Sequence, residues 1–410
     1  MIRHTATLLV LLALPRTAAA EERIGPFSVS SEDGRWSLTP GLALQLRYQL
    51  DAREVGEEGD TDGFVEARRV RPTLRGALLS KELGYYLHLS TAPGSIELMD
   101  AYLDYTLRPW LRARAGQWKI PFTRYRTGSF KDLTLVDWPV VTTYFGAERQ
   151  MGLALHNGYE KPPAGLQYEA GVFTGVNARA SHAVGLSRLF GETPASPSDL
   201  ADPGPRAGVH PELVAHLAYN LAGIDPSRDT DWEGGPLRLS AGVSAAWDLD
   251  PDPQADLALR LAPEVLLKLL RLSLFGAFYV GFVRTGDGVG DQRLGMLGGV
   301  FQTSYLFREQ LELALRYAIV QNDAGLLQDA RDRARALIEA ATDLQERSAL
   351  EKRYAKAGTV QREHETAIGL NVYLIGRSLK LQTDLSWLAH DTAAVRKHDL
   401  RFRTQLQLAF

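Results

Sequence analysis

Polar and apolar residues alternate along this chain in runs of roughly ten residues, and one parity in each run carries the apolar set. At the C-terminal end Leu400, Phe402, Leu406, Leu408 and Phe410 share one parity, while Arg401, Arg403, Gln405 and Gln407 share the other. Near the start, Leu42, Leu44, Leu46, Tyr48 and Leu50 alternate with Gln45, Arg47 and Gln49. Further on, Leu311, Leu313, Leu315, Tyr317 and Ile319 oppose Glu312, Ala314 and Arg316, and Leu379, Leu381, Leu385 and Trp387 oppose Lys380, Gln382, Asp384 and Ser386. Strands of a soluble sandwich run to about five or six residues. A tilted strand that crosses a bilayer needs about nine to eleven. With lipid outside and water inside, a closed barrel accounts for the length and the polarity, and closure satisfies every edge hydrogen bond. The expected fold is therefore all-β, a transmembrane antiparallel barrel.

Segments with this character fall at 35–50, 64–79, 82–92, 97–107, 110–118, 149–157, 166–175, 209–221, 236–249, 256–268, 271–284, 293–306, 310–321, 360–375, 378–390 and 396–410. Counting 183–190 as another strand gives an odd total, whereas bacterial single-chain barrels have even numbers. The Pro-rich tract from Pro194 to Pro205 places 176–208 in one external loop and restores about sixteen strands. That size leaves an aqueous channel. The nearly apolar run 266–283 is long enough for a helix to span a membrane, but Lys268 and Arg271 interrupt it. Its Gly276, Gly281 and Phe-Tyr-Val content favour two strands meeting at a tight turn. Trp36, Tyr48, Trp110, Trp118, Trp387 and Phe410 lie near strand ends and are expected in interfacial girdles.

Other compositional features narrow the functional classes. The chain has no Cys, which removes disulfides, thiolate nucleophiles and zinc-thiolate sites, and its net charge of −3 gives no reason to expect nucleic acid as a partner. No cofactor or metal is expected. Arg3 and His4 precede an apolar stretch to Leu14, then Thr17-Ala-Ala-Ala20 and Glu21-Glu22. This layout is a secretory signal peptide over 1–20, which leaves 21–410 as the exported barrel. The expected location is the outer membrane of a Gram-negative bacterium, with lipid and small hydrophilic or anionic solutes as partners.

Over 324–357 the period changes. Leu327, Ala330, Ala334, Leu337, Ile338, Ala341 and Leu344 recur at three- and four-residue steps among Asp, Glu and Arg. One helix of about 30 residues, or two shorter ones, is inserted there, on the external side by the strand count. Its apolar stripe needs a cover, from the barrel rim, its own second half, a neighbouring subunit or another protein.

Parity also nominates the channel wall. Arg69, Arg71, Thr73 and Arg75 share a face, as do Asp100, Tyr102 and Asp104, and as do Arg112, Arg114 and Gly116; Tyr86, His88 and Ser90 are added by the strand between the first two, and Lys119 closes the set. On the lipid face an Arg at mid-membrane costs roughly 2–4 kcal/mol, so these side chains are expected inside. Clustered inward arginines concentrate anions; the competing reading is that they pair with Asp100 and Asp104 and only solvate the lumen. The stretch 119–148 has no clear period. Its Arg124, Arg126 and Lys131 alternate with Tyr125, Phe130, Trp138 and Tyr144. A loop this long and aromatic is expected to fold inward and narrow the channel, with an outward loop at a subunit interface as the alternative.

These residues resemble the porin O/P family, the phosphate-selective porins of bacterial outer membranes. The similarity lies in Phe64-Val-Glu-Ala-Arg-Arg-Val-Arg-Pro-Thr-Leu-Arg-Gly76, Asp100-Ala-Tyr-Leu-Asp-Tyr105, Ala115-Gly-Gln-Trp-Lys-Ile-Pro-Phe122, Arg149-Gln-Met-Gly-Leu-Ala-Leu155 and Tyr168-Glu-Ala-Gly-Val-Phe-Thr-Gly175, then Leu311 to Tyr317, Leu379 to Asp384 and Arg403 to Phe410. The resemblance implies a sixteen-stranded barrel, a homotrimer, a pore-folded loop after the Gly-Gln-Trp-Lys-Ile-Pro strand, and passage of phosphate or other anions. The 324–357 insertion and the acidic balance depart from that family. Two other functions compete with a passive channel. One is a receptor or adhesin acting through the external helix and loops. The other is a barrel hydrolase, for which His88 beside Ser90 is the suggestive pair, although the chain has no Gly-x-Ser-x-Gly elbow.

Overall fold

A computed structural model describes residues 27–54, 59–91, 96–146, 149–158, 162–174, 211–249, 257–284, 292–355 and 357–410. The expected signal peptide 1–20 and external loop 176–208 lie outside the described residues. After a two-residue strand, β1 (Val29–Ser30), come β2 (Ser37–Ala52), β3 (Thr61–Leu78), β4 (Ser80–Ser90), β5 (Glu97–Arg108) and β6 (Leu111–Lys119). The sheet continues with β7 (Arg149–His156), β8 (Gly165–Phe173), β9 (Glu212–Leu221), β10 (Arg238–Asp248), β11 (Leu259–Leu269) and β12 (Leu272–Arg284). It ends with β13 (Gln292–Phe307), β14 (Leu311–Asn322), β15 (Val360–Ile375), β16 (Leu379–Thr392) and β17 (Arg396–Ala409).

Each of β2 to β17 pairs antiparallel with its neighbour in sequence, and β17 pairs with β2, from Ala409 opposite Ala43 to Leu400 opposite Ala52. The result is a closed sixteen-stranded barrel. The exposure pattern is inverted relative to a soluble protein. Val65 is 79% exposed and Leu153 67%, whereas Glu312 and Lys268 are 0% exposed. Only an apolar solvent outside and a polar filling inside make that arrangement stable. Trp36, Tyr48, Trp110 and Trp387 are exposed on the outer surface, while Phe410, at the lower end, also borders the internal cavity. Trp118 is not: it shares the inward parity of Arg112 and Arg114, and its ring packs edge-on against Phe173 while Nε1 donates to Glu169. Its expected place in a girdle is therefore corrected to the lumen.

The two connection sets differ in length. At the end where β2 begins and β17 finishes, here the lower end, the links include 270–271, 308–310 and 376–378. At the opposite, upper end they include 120–148, 174–211 and 323–359. The run 266–283 folds as β11 and β12, with Leu269 opposite Leu272 and a turn in which Leu270 and Arg271 both take positive φ, 49° and 72°. That backbone matches the twist of a two-residue hairpin.

Strands β11 and β12 lack clean alternation because both of their faces meet apolar surroundings. Outward Val265 and Phe278 are exposed to the membrane side, while inward Leu266, Phe275 and Tyr279 are buried in a core with Ile120, Phe122, Tyr125, Tyr144 and Phe145 of the 120–148 connection. The bore is thus filled with side chains along its β10–β14 side. The insertion forms two helices, α3 (Ala324–Glu339) and α4 (Leu344–Arg353), capped by Asp323 and Asp343. Leu326, Leu327 and Ala330 join the same core with Val283, Met296 and Val320, so the barrel rim covers the first half of the stripe. The second half stays open, with Leu344 83% exposed. The labels α1 and α2 belong to the short helices Arg124–Thr127 and Val141–Phe145 of the inward loop.

Candidate functional site: the lumen and its inward loop

After Lys119 the chain leaves β6 and crosses the interior. The Arg124 amide donates to Glu264 of β11 (3.0 Å), and the Tyr125 hydroxyl donates to Gln302 of β13 (2.5 Å). Lys380 and Gln382 of β16 donate to the Leu133 carbonyl (3.1 and 3.0 Å). The tip is then fixed at Val136-Asp137-Trp138. The Val136 amide donates to Asp384 (3.0 Å), Arg47 donates to the Val136 carbonyl (3.1 Å), and Arg316 donates to the Asp137 carbonyl (2.9 Å). The Val140 amide donates to Glu365 (2.6 Å). On the way back Phe145 stacks on Tyr279 at 5.3 Å. Glycines in the wall make room for this path. A Cβ at Gly298 would lie 2.6 Å from the Phe145 ring, and one at Gly369 would lie 2.4 Å from Leu135.

The Asp137 carboxylate is the electrostatic anchor of the tip. Arg47 reaches one oxygen at 2.9 Å, Arg69 the other at 3.1 Å, and Arg68 lies at 4.0 Å. Arg68 and Arg69 both reach inward because the β2–β3 register shifts between Gln45 and Leu46, a bulge that breaks strict alternation. Burial alone would raise the Asp137 carboxyl, but the guanidiniums of Arg69, Arg47 and Arg68 outweigh it and hold the group well below the usual carboxylate range. A depressed folded pKa contributes stability that is complete above the unfolded value of about 4 and is lost only as pH falls through the lower folded value. Loop attachment through Asp137 is therefore expected to survive at about pH 4. Single-channel current noise at about pH 4 and pH 7 checks this, and a marked rise in flicker at the lower pH would contradict it.

The nominated wall residues take several roles. Arg114 pairs with Asp104 (2.6 Å), which also contacts His156 (2.9 Å). Asp100 holds His88 (2.6 Å) and Arg149 (2.7 Å). Part of the charge in the wall is thus neutralised across strands, as the competing reading supposed. His88 has its Nδ1 committed to Asp100. Lys119 donates to the carbonyls of Arg126 and Gly128 (3.0 and 2.9 Å), bracing the root of the loop. Arg69, Lys119 and Arg126 surround the Trp138 ring at 5.0, 5.6 and 4.7 Å, a cation–π cluster at the tip. Arg112 follows Arg114 by inward parity, opposite Thr106 and His156.

Below the loop a cavity of about 410 Å3 is lined by β2 to β9, with Ser240 of β10 and Glu264 of β11 at its far side. Its lining carries eight basic side chains, Arg71, Arg75, Lys119, Arg124, Lys131, Arg149, Arg228 and Arg377, against four carboxylates, Asp100, Asp132, Glu169 and Glu264. Arg71 leaves Nε and Nη1 buried without a hydrogen-bond partner among the described residues. Sequence reasoning did not single out Arg47, Arg316, Arg403, Asp137 or Asp384 as site residues. All but Asp137 stood on polar parities, but only the fold brings Arg47, Arg316 and Asp384 to a distant loop, with Arg403 pairing to Asp384 at 2.8 Å.

No protein-family model matches the chain, and no curated protein does. Solved structures with the same architecture include the outer membrane channel DcaP of Acinetobacter baumannii, with TM-score 0.54 and 14% identity over 93% of this chain and 99% of that one. An anion-selective porin from Comamonas acidovorans gives TM-score 0.51 and 12% identity over 91% of this chain and 100% of that one. OprB of Pseudomonas putida gives TM-score 0.53 and 10% identity over 90% and 94%. At these identities the likeness establishes architecture. The chain has the fold of the outer-membrane porins, a closed antiparallel barrel of sixteen strands crossed by an inward loop.

Proposed function

We propose that this protein is a passive channel of the Gram-negative outer membrane for small hydrophilic solutes, with a preference for anions. The observation that carries the reading is the cavity beneath the loop, in which basic side chains outnumber carboxylates eight to four. A narrow aqueous passage with low-dielectric walls focuses such a field and concentrates counter-ions. In this reading the segment 119–148 acts as the constriction and contributes Arg124, Arg126 and Lys131 to it, and the helices of 324–357 sit on the external face. Phosphate is the solute that the resemblance to the porin O/P family implies; the guanidiniums of Arg71 and Arg75 suit phosphate and carboxylate alike. One of the neighbouring structures is described as an anion-selective porin, which fits this reading.

Planar-bilayer recording tests the proposal. Stepwise currents with a zero-current potential on the anion side are expected. Arg71→Gln combined with Arg75→Gln is expected to lower the anion-to-cation permeability ratio by about two- to threefold. A barrel that carries no current would refute the channel, and an unchanged ratio in the double variant would refute the role of these arginines. The homotrimer implied by the resemblance has a suitable surface in the concave apolar wall formed by Leu87, Leu103 and Ala115 beside Trp36 and Leu38. A cross-linked band at three times the chain mass would support it.

A further inference from the structure

Among the connections at the lower end, the one between β9 and β10 stands apart, because it covers 222–237 where its neighbours, such as 270–271 and 376–378, are tight turns. It does not project away from the barrel. Asp229 and Thr230 are 7% and 3% exposed, and Asp231 is fully buried. The segment reaches from β9 across the mouth to strands far round the wall. Thr230 donates to Glu312 of β14 (3.2 Å), and the Trp232 ring packs edge-on against Tyr373 of β15 at 4.6 Å. Its return is locked by Asp231, which pairs with Arg238 (2.6 Å) and accepts from the Arg271 amide (2.9 Å).

This segment also grips the upper loop. Arg124 donates to the Pro226 carbonyl (2.8 Å) and pairs with Asp229 (3.1 Å), whose second oxygen accepts from Gln302 (3.3 Å). Arg124 lines the basic cavity, so the partner that neutralises it influences what that cavity attracts.

We infer that residues 222–237 form a fixed plug that closes the β10–β15 side of the lower mouth, and that Asp229 is a specificity-determining residue because it offsets the charge of Arg124. The inference deepens the channel reading and rests on it for the selectivity part. With the core filling the same side above, solutes are confined to the cavity lined by β2 to β9, past Arg71 and Arg75.

The chain has no cysteine, so single cysteines report the plug without background. Ser304→Cys sits on β13 at a position that is 4% exposed, and Thr73→Cys lines the passage. With a charged methanethiosulfonate reagent, Ser304→Cys should react at least about tenfold more slowly than Thr73→Cys, since a covered site reacts only through local opening. Replacing 224–236 by a two-residue turn should bring the two rates together and raise conductance. Equal rates with the plug intact would overturn the plug. Asp229→Asn should shift the zero-current potential further to the anion side, and an unaltered potential would overturn the role of Asp229. Should the shortened chain not fold, the labelling ratio in the full-length barrel and the Asp229→Asn recording still decide. A barrel that labels as expected but carries no current would refute the channel and leave the plug standing.

Discussion

Replacing Asp137 with alanine should lower the unfolding free energy by about 3–5 kcal/mol, the cost of leaving buried guanidiniums without their counter-charge. Arg47 and Arg69 are 2% and 6% exposed, so neither can recover its lost partner from bulk water. The same change should raise anion selectivity, because two cations at the loop tip lose the carboxylate between them, and it should add current noise as Val136 to Trp138 detach. Heat-induced unfolding in detergent measures the first effect, and bilayer recording the second. Asp137→Asn is the informative companion. It keeps the shape and removes the charge, so an alanine-like selectivity shift in this variant would assign the effect to electrostatics. If neither variant changes noise or selectivity, the tip is not held through this carboxylate.

Replacing Phe145 with alanine should cost a further about 3–5 kcal/mol, in the range for deleting a buried aromatic ring. The ring stacks on Tyr279 and fills the room left by Gly298 and Gly281. The conductance should rise as well, since the loop loses its apolar seat on the wall. Gly298→Val gives an independent check, because a Cβ there would approach the ring to 2.6 Å and must displace it. If the two variants leave both the melting temperature and the conductance unchanged, the loop is not held by packing on β12 and β13.

Much of the barrel could be read from polarity alone. A membrane outside and water inside impose opposite demands on successive residues, so strands such as β14 and β17 announce themselves, and all sixteen wall strands fall within a few residues of the segments expected. Alternation fails to reveal contacts made across the lumen. Nothing local to Arg47 or Arg316 says that it meets Val136 or Asp137. Parity itself slips at Arg68, where a bulge turns two successive arginines toward one carboxylate. Trp118 was misplaced because residue type was weighed above parity, although Arg114 two positions earlier already marked that face as inward. The helices of the insertion were legible from their period, but the boundary between the covered and the open half of their stripe depends on where the barrel rim ends.

The inner face formed by Leu266, Phe275, Tyr279 and Val300 sets a condition on biogenesis. A cylinder assembled from its strands first would present a greasy bore to water, with no way to dry it until the loop threaded in afterwards. Laying down the staves and their stuffing together is the order that never leaves that bore bare.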